Sequence, residues 1–198
     1  MDKKNYIIEV AKSLVGKFGF KKTTMEDIAK AARMGKATLY YYFSSKDDIF
    51  REIIEKEGNR FRKKLLEALE GAKTAREKLL RYSFTRFHFL KEVRLYYKTI
   101  KDELYSHLDF IERERKKFDK FDLEILERIM EEGVEKGEFN IKNPKYYAFL
   151  LLQAIKGLEV PILTGEALSF ENKEVDLDEA VSALLNILMY GILKNPQA

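Results

Sequence analysis

Residues 23–46 read TTMEDIAKAARMGKATLYYYFSSK, and the reading of this stretch decides the fold. Two short helical patterns are joined by a tight break, and the second carries three consecutive tyrosines. Thr24 precedes Asp27 by three residues, close to a capping box, in which a hydroxyl and an acidic side chain satisfy the free N–H groups of a first turn. Glu26 and Asp27 favour the positive end of the helix dipole. Met25, Ile28, Ala29 and Ala32 form the buried stripe of a helix of about two turns, too short to be stable without neighbours. Gly35 is expected to supply the break. In the following pattern, Lys36 to Phe43, a turn of about 100° per residue puts Leu39 and Phe43 on one side, facing the core. Ala37, Thr38 and Tyr41 then point away, with Tyr40 and Tyr42 on the shoulders. An outward surface of small, hydroxyl and aromatic groups suits a groove better than open water.

The flanking residues continue in helical register. From Asn5 to Phe18 the apolar positions Ile7, Ile8, Ala11, Leu14, Val15 and Phe18 fall on one helical face, and Gly19 is placed to end it. Ser44 or Ser45 can cap the next helix, with Lys46 at its mouth. That helix runs to about Glu70, with Ile49, Phe50, Ile53, Ile54, Phe61, Leu65, Leu66 and Leu69 at helical spacing. Further helices are expected near 75–90, 94–107, 110–136, 144–163 and 177–193, about nine in all. The turn EKGEF (Glu135–Phe139) follows the longest, and Asn143-Pro144 starts the next, with proline at a first-turn position. The segment from Thr164 to Asp176 reads as a polar, acidic loop. The fold class is all-α, an N-terminal helix-turn-helix domain (1–46) followed by a helical bundle (47–198).

Bulk properties agree. The chain has 198 residues, enough for a substantial core, and 45% hydrophobic with 35% charged residues is a globular composition. It has no cysteine, which excludes disulfides and thiolate chemistry. No opening pattern reads as a secretory signal, and the longest apolar run, Tyr146 to Leu152, is far short of the about 20 residues that span a bilayer. A cytoplasmic location without membrane association is expected. Residues 1–46 hold ten basic and four acidic side chains, a net +6, whereas the other 152 residues carry a net −2. A basic N-terminal quarter on a near-neutral body fits attraction to nucleic-acid phosphates.

The last two helices, YYAFLLLQAIKGLEVPIL and AVSALLNILMYGIL, leave little polar surface for water. Such a helix is buried on several sides or meets another chain. A homodimeric four-helix interface is favoured over a purely internal core, with Leu152, Gly157, Leu184, Leu188 and Gly191 as its candidates.

A first helix ending in FGF, then TTMEDIA, a short break, and KATLYYYF followed by SSK resembles the N-terminal domain of TetR-type transcriptional repressors. The body, with its EKGEF turn before two apolar helices, is similar in architecture to that family's ligand-binding half. The resemblance implies an all-α homodimer with one reading head per subunit, which releases a double-stranded DNA operator when a small molecule binds. It implies that Thr24 caps the second helix and holds a phosphate. Lys36, Thr38, Tyr40, Tyr41 and Tyr42 match recognition-helix positions, and Lys46 matches a phosphate-holding lysine. Ala37 departs from the glycine common there; its methyl could touch a thymine methyl. Phosphate positioning draws on lysine, hydroxyl and tyrosine groups, which suits Thr24, Lys36, Tyr40, Tyr42 and Lys46. Thr38 and Tyr41 remain for base edges.

In the body, Phe61, Phe84, Phe87, Tyr96, Tyr97, Tyr105 and Phe149 are candidates to line an apolar effector pocket. Gln153, polar in an apolar stretch, either orients a ligand or hydrogen-bonds across the dimer. The composition favours a small hydrophobic effector, with acyl thioesters as one class; Arg81, Arg86, Arg94 and Lys98 are placed to meet phosphates. No cofactor or metal is expected. A di-iron bundle requires Glu-x-x-His pairs. His107 instead has Glu103 four residues before it, and His88 has Thr85 three before, so enzymatic function is not indicated. A DNA-binding architectural or adaptor protein without an effector is the alternative.

Overall fold

The computed structural model describes the backbone of residues 2–96, 100–164, 169–170 and 173–192. Side chains are described within it except at 94–96, 100–112, 114–115, 160–164, 169–170, 174, 177 and 190–192. Among the described residues there are eight helices: α1 (Lys3–Phe18), α2 (Met25–Ala31), α3 (Lys36–Tyr42), α4 (Lys46–Leu69), α5 (Ala75–Tyr96), α6 (Ile100–Glu135), α7 (Pro144–Thr164) and α8 (Leu177–Ile192). The expected polar loop also holds an antiparallel pair of two-residue strands, β1 (Ser169–Phe170) and β2 (Lys173–Glu174), with Ser169 opposite Glu174.

Eight helices replace the expected nine because no break occurs near residue 108. Ile100, Leu104, Leu108 and Ile111 keep helical spacing without an intervening glycine or proline, so one 36-residue helix spans what read as two. The chain divides into two compact units, 1–60 with 92–116 and 61–91 with 117–198.

In the first unit, Ile7, Ile8, Ala11 and Val15 of α1 pack with Ile28, Ala29, Leu39, Phe43, Ile49, Phe50 and Ile53. Gly19 ends α1 at φ +86°, where an L side chain is strained, and its N–H donates to Val15 O. The chain then turns back so that Phe20 is buried, while Phe18, expected on the inner face, is exposed.

In the second unit, Gly137 takes φ +71° at the EKGEF turn, and the N–H groups of Glu138 and Phe139 both donate to Gly133 O. The Glu138 carboxylate accepts from the N–H groups of Ala75 and Arg76, capping α5. Asn143 Oδ1 accepts from Tyr146 N at 3.1 Å, so Asn143-Pro144 begins α7 as expected. At the centre of this unit is a buried polar cluster. Arg86 on α5 pairs with Asp122 on α6 and Glu159 on α7, and Tyr82 OH donates to Asp122 at 3.0 Å. Burial pushes the Asp122 carboxyl and the Tyr82 phenol above their ordinary ranges.

Candidate nucleic-acid interface

The reading head is built by local chemistry. Thr24 Oγ1 accepts from Asp27 N at 3.1 Å, and the Asp27 carboxylate accepts from Thr24 N at 2.9 Å, completing the capping box at the start of α2. The Thr24 hydroxyl also donates to Asp27 Oδ2 at 2.6 Å, and these bonds hold the Asp27 carboxyl below its usual range. Thr24 is exposed, and its hydroxyl proton is engaged in the cap. The break after α2 is made by Arg33, at φ +53°, and not by Gly35 as expected. Gly35 is extended at φ −67° and serves as the N-cap of α3. A Cβ on Gly35 would come no nearer than 4.0 Å to Thr38 Oγ1, so the fold itself leaves room for a side chain there.

α3 is held from beneath by Leu39, fully buried, and Phe43. Ala37, Thr38 and Tyr40 are exposed, and Tyr41 is 83% exposed, the most open of the large apolar and aromatic side chains described. Tyr42 is half-buried, its ring edge-on to Tyr41 with centroids 5.2 Å apart. Lys36 is also exposed and pairs with Glu26 of α2 at 2.8 Å, which holds its ammonium above the usual lysine range. This α2–α3 clasp was not anticipated; the spacing from Glu26 to Lys36 crosses a turn, so helical periodicity gave no signal.

Lys46, expected to hold a phosphate, is engaged within the first unit in the absence of DNA. Its Nζ donates to Phe20 O at 2.8 Å, Thr23 O at 3.1 Å and Lys21 O at 3.4 Å. At the same helix start, Ser45 is the cap: its Oγ accepts from Asp48 N at 3.1 Å and donates to the Asp48 carboxylate.

An exposed short helix presented on a two-helix clasp is the geometry of a helix-turn-helix reader. Comparison with known proteins agrees. Residues 7–53 match the model of bacterial regulatory proteins of the tetR family, and residues 59–191 match that of the QacR-like protein C-terminal region. The chain belongs to the TetR family. It is similar to the HTH-type transcriptional regulator QacR of Staphylococcus aureus, 26% identical over 164 residues, which covers 80% of this chain and 85% of that protein. It is also similar to a fatty acid metabolism regulator protein of Bacillus subtilis, 28% identical over 133 residues, 67% of this chain and 68% of the other. A transcriptional regulator from Cytophaga hutchinsonii shares the fold at a TM-score of 0.75 and 25% identity, with 96% of this chain and 98% of that one covered.

In this TetR-family regulator the residues expected at an effector pocket separate. Phe61 and Phe87 are buried in the second unit and Phe84 is half-buried; Phe61 packs on Phe89 with centroids 5.3 Å apart. Tyr96, Tyr97 and Tyr105 lie outside the described side chains. Phe149 is 45% exposed and Gln153 is also exposed. Ala148, Leu151, Leu152 and Ile155 take the inner face of α7. By the same geometry Leu152, expected at the dimer interface, is core, only 2% exposed. The outer stripe of α7 is instead Tyr146, Phe149, Leu150, Gln153 and Gly157. On α8 Leu184 and Leu188 are half-buried beside Ile187, which is 72% exposed; the surroundings of Gly191 lie outside the described residues.

The basic residues considered for effector phosphates also find partners within the unit. Arg86 is committed to Asp122 and Glu159, and Arg81 donates to the carbonyls of Ala68 and Glu70 and to Glu77. Arg94 and Lys98 lie outside the described side chains. Among the described residues no group of side chains could hold a metal ion, and no helix is long and apolar enough to cross a membrane.

Proposed function

We propose that this transcriptional regulator is a repressor that binds a palindromic operator as a homodimer and is released by a small hydrophobic effector. The observation that carries the reading is α3: Leu39 and Phe43 hold it from below while Ala37, Thr38, Tyr40 and Tyr41 stand in the open. Thr38 and Tyr41 offer hydrogen-bonding groups to base edges, and Ala37 offers a methyl for apolar contact. Lys36, Tyr40 and Tyr42 supply the cationic and phenolic groups that position a reader on phosphates, and Thr24 adds a hydroxyl at the start of α2. The net +6 of residues 1–46 supports the same face.

The exposed apolar stripe on α7, with Ile187 on α8, supports self-association, since apolar side chains of this size in a row are costly to leave in water. Two readers related by a two-fold axis require half-sites about one helical turn apart, or a multiple of that. Release then follows by linkage. An effector that binds better to the DNA-incompetent arrangement weakens operator binding, and the operator weakens effector binding by the same factor.

The effector class is supported by the buried rings of Phe61, Phe87 and Phe89 and by the kinship with a protein named for fatty acid metabolism. A thermal-shift screen against acyl thioesters, fatty acids and aromatic cations tests this part. Stabilisation by either of the first two classes supports it, and a response to neither overturns it. Duplex binding measured at several salt concentrations tests the reader, which requires a steep fall in affinity as salt rises.

A further inference from the structure

We propose that the guanidinium of Arg33, in the turn between α2 and α3, holds a DNA phosphate at the edge of the groove that α3 enters. The inference rests on the reading of α2–α3 as a DNA reader. The turn itself is made by backbone geometry. Ala32 ends α2, Arg33 N donates to Lys30 O at 3.1 Å, and Met34 N donates to Ala29 O at 3.0 Å. This doubly bonded helix end requires a left-handed residue just past the cap, a place that glycine usually takes. Here Arg33 takes it at φ +53°, the one non-glycine residue with positive φ among those described. Met34, which follows, packs on the core of the first unit. An L side chain is strained in that conformation because its Cβ crowds the next carbonyl oxygen, whereas glycine is not. Glycine would therefore serve the fold better, and what the position carries in its place is a guanidinium.

Arg33 is exposed, and its side chain makes no hydrogen bond or ion pair with a described residue. No acidic residue occurs between Asp27 and Asp47, so neither the turn nor α3 offers it a counter-ion. Lys30 and Lys36, three residues to either side, are exposed as well, and Lys36 is already paired with Glu26. Three cations at this spacing make the turn positive, which draws an anion from outside the chain. A helix that reads the major groove leads with its N-terminal end, so the turn just before it passes the sugar-phosphate rim. Arg33 stands two residues before Gly35, the N-cap of α3. An arginine there can give two parallel N–H groups to one phosphate, a more directional contact than an ammonium makes.

Arg33→Gly and Arg33→Asn both suit the left-handed turn and remove the charge. Their binding to a mixed-sequence duplex of several helical turns is measured by fluorescence anisotropy across a salt series. Affinity should fall about tenfold for each reading head engaged, as for loss of a hydrogen bond to a charged group. The slope of log affinity against log salt should become shallower by about one per head. Arg33→Lys keeps the charge, so it should keep the slope while losing part of the affinity. Urea unfolding of Arg33→Gly should show a midpoint at or above that of the wild type, because the strain is gone. Unchanged affinity in both neutral variants, or weaker binding with an unchanged slope, would overturn the proposal. A lower urea midpoint for Arg33→Gly would also overturn it, by showing that the side chain serves the fold. A wild-type protein that binds no duplex at any salt would refute the DNA-reader function, and this contact with it; the other outcomes bear on Arg33 alone.

Discussion

Replacing Arg86 with Met should destabilise the second unit severely. The guanidinium pairs with Asp122 and Glu159, and the three side chains are 7%, 3% and 2% exposed. Methionine fills a similar volume but leaves the Asp122 and Glu159 carboxylates facing each other without the cation between them. Removing one partner of a buried pair costs about 3–5 kcal/mol, a large part of the about 5–15 kcal/mol that keeps a domain folded. Urea unfolding followed by circular dichroism at fixed protomer concentration measures the loss. At a slope of about 2 kcal/mol per molar urea, the midpoint should fall by about 2 M. The deficit should shrink at acid pH. Burial already raises the Asp122 pKa, so protonating it is easier in the folded state than in the unfolded chain; the stability associated with that shift is present at low pH and lost as pH rises through the raised value. Without Arg86 the preference for the neutral acid grows, which concentrates the damage near neutrality. The triple variant Arg86→Met, Asp122→Asn, Glu159→Gln should recover most of the loss at neutral pH. A deficit under about 1 kcal/mol, the range of exposed ion pairs, or one insensitive to pH, would refute this reasoning.

Ile187→Glu should convert a dimer to monomers in analytical ultracentrifugation, because it places a charge at the most exposed apolar position among the described side chains of α8; an unchanged sedimentation coefficient would move the interface elsewhere. Gly133→Ala should cost about 1–3 kcal/mol in thermal or urea unfolding, since the new Cβ would lie 2.1 Å from the Phe139 ring unless the ring moves. A stability equal to wild type would show that the turn after α6 yields freely. Tyr41→Ala should change the ranking of operator variants in a competition assay, by about 1–3 kcal/mol at the base pair it reads. Uniform weakening across all sequences would assign Tyr41 to the phosphate backbone.

Features set by neighbouring residues were legible in the sequence. The Thr24–Asp27 cap, the inward pair Leu39 and Phe43, the EKGEF turn and the Asn143-Pro144 start all depend on partners within a turn or two. The break between α2 and α3 was misplaced because a left-handed residue usually signals itself as glycine, and here Arg33 takes that conformation while Gly35 does not. The contacts that Lys46 makes within the first unit gave no local signal for a different reason. A lysine at a helix start fits a phosphate contact equally well, and its carbonyl partners lie 23–26 residues earlier in the chain. The Arg86 cluster depends on residues 36 and 73 positions away, beyond any local periodicity. On α7 the pattern is apolar almost all round, so Leu152 and Phe149 could not be told apart until packing showed which face lies inward.

Selection of bound duplexes from a random-sequence pool by the wild-type protein decides whether two reading heads act together on DNA. Enrichment of an inverted repeat is expected, its half-sites separated by about one helical turn or a multiple of it and protected by two protomers at once. Enrichment of a single unrepeated site held by one protomer, or no enrichment at all, would contradict it.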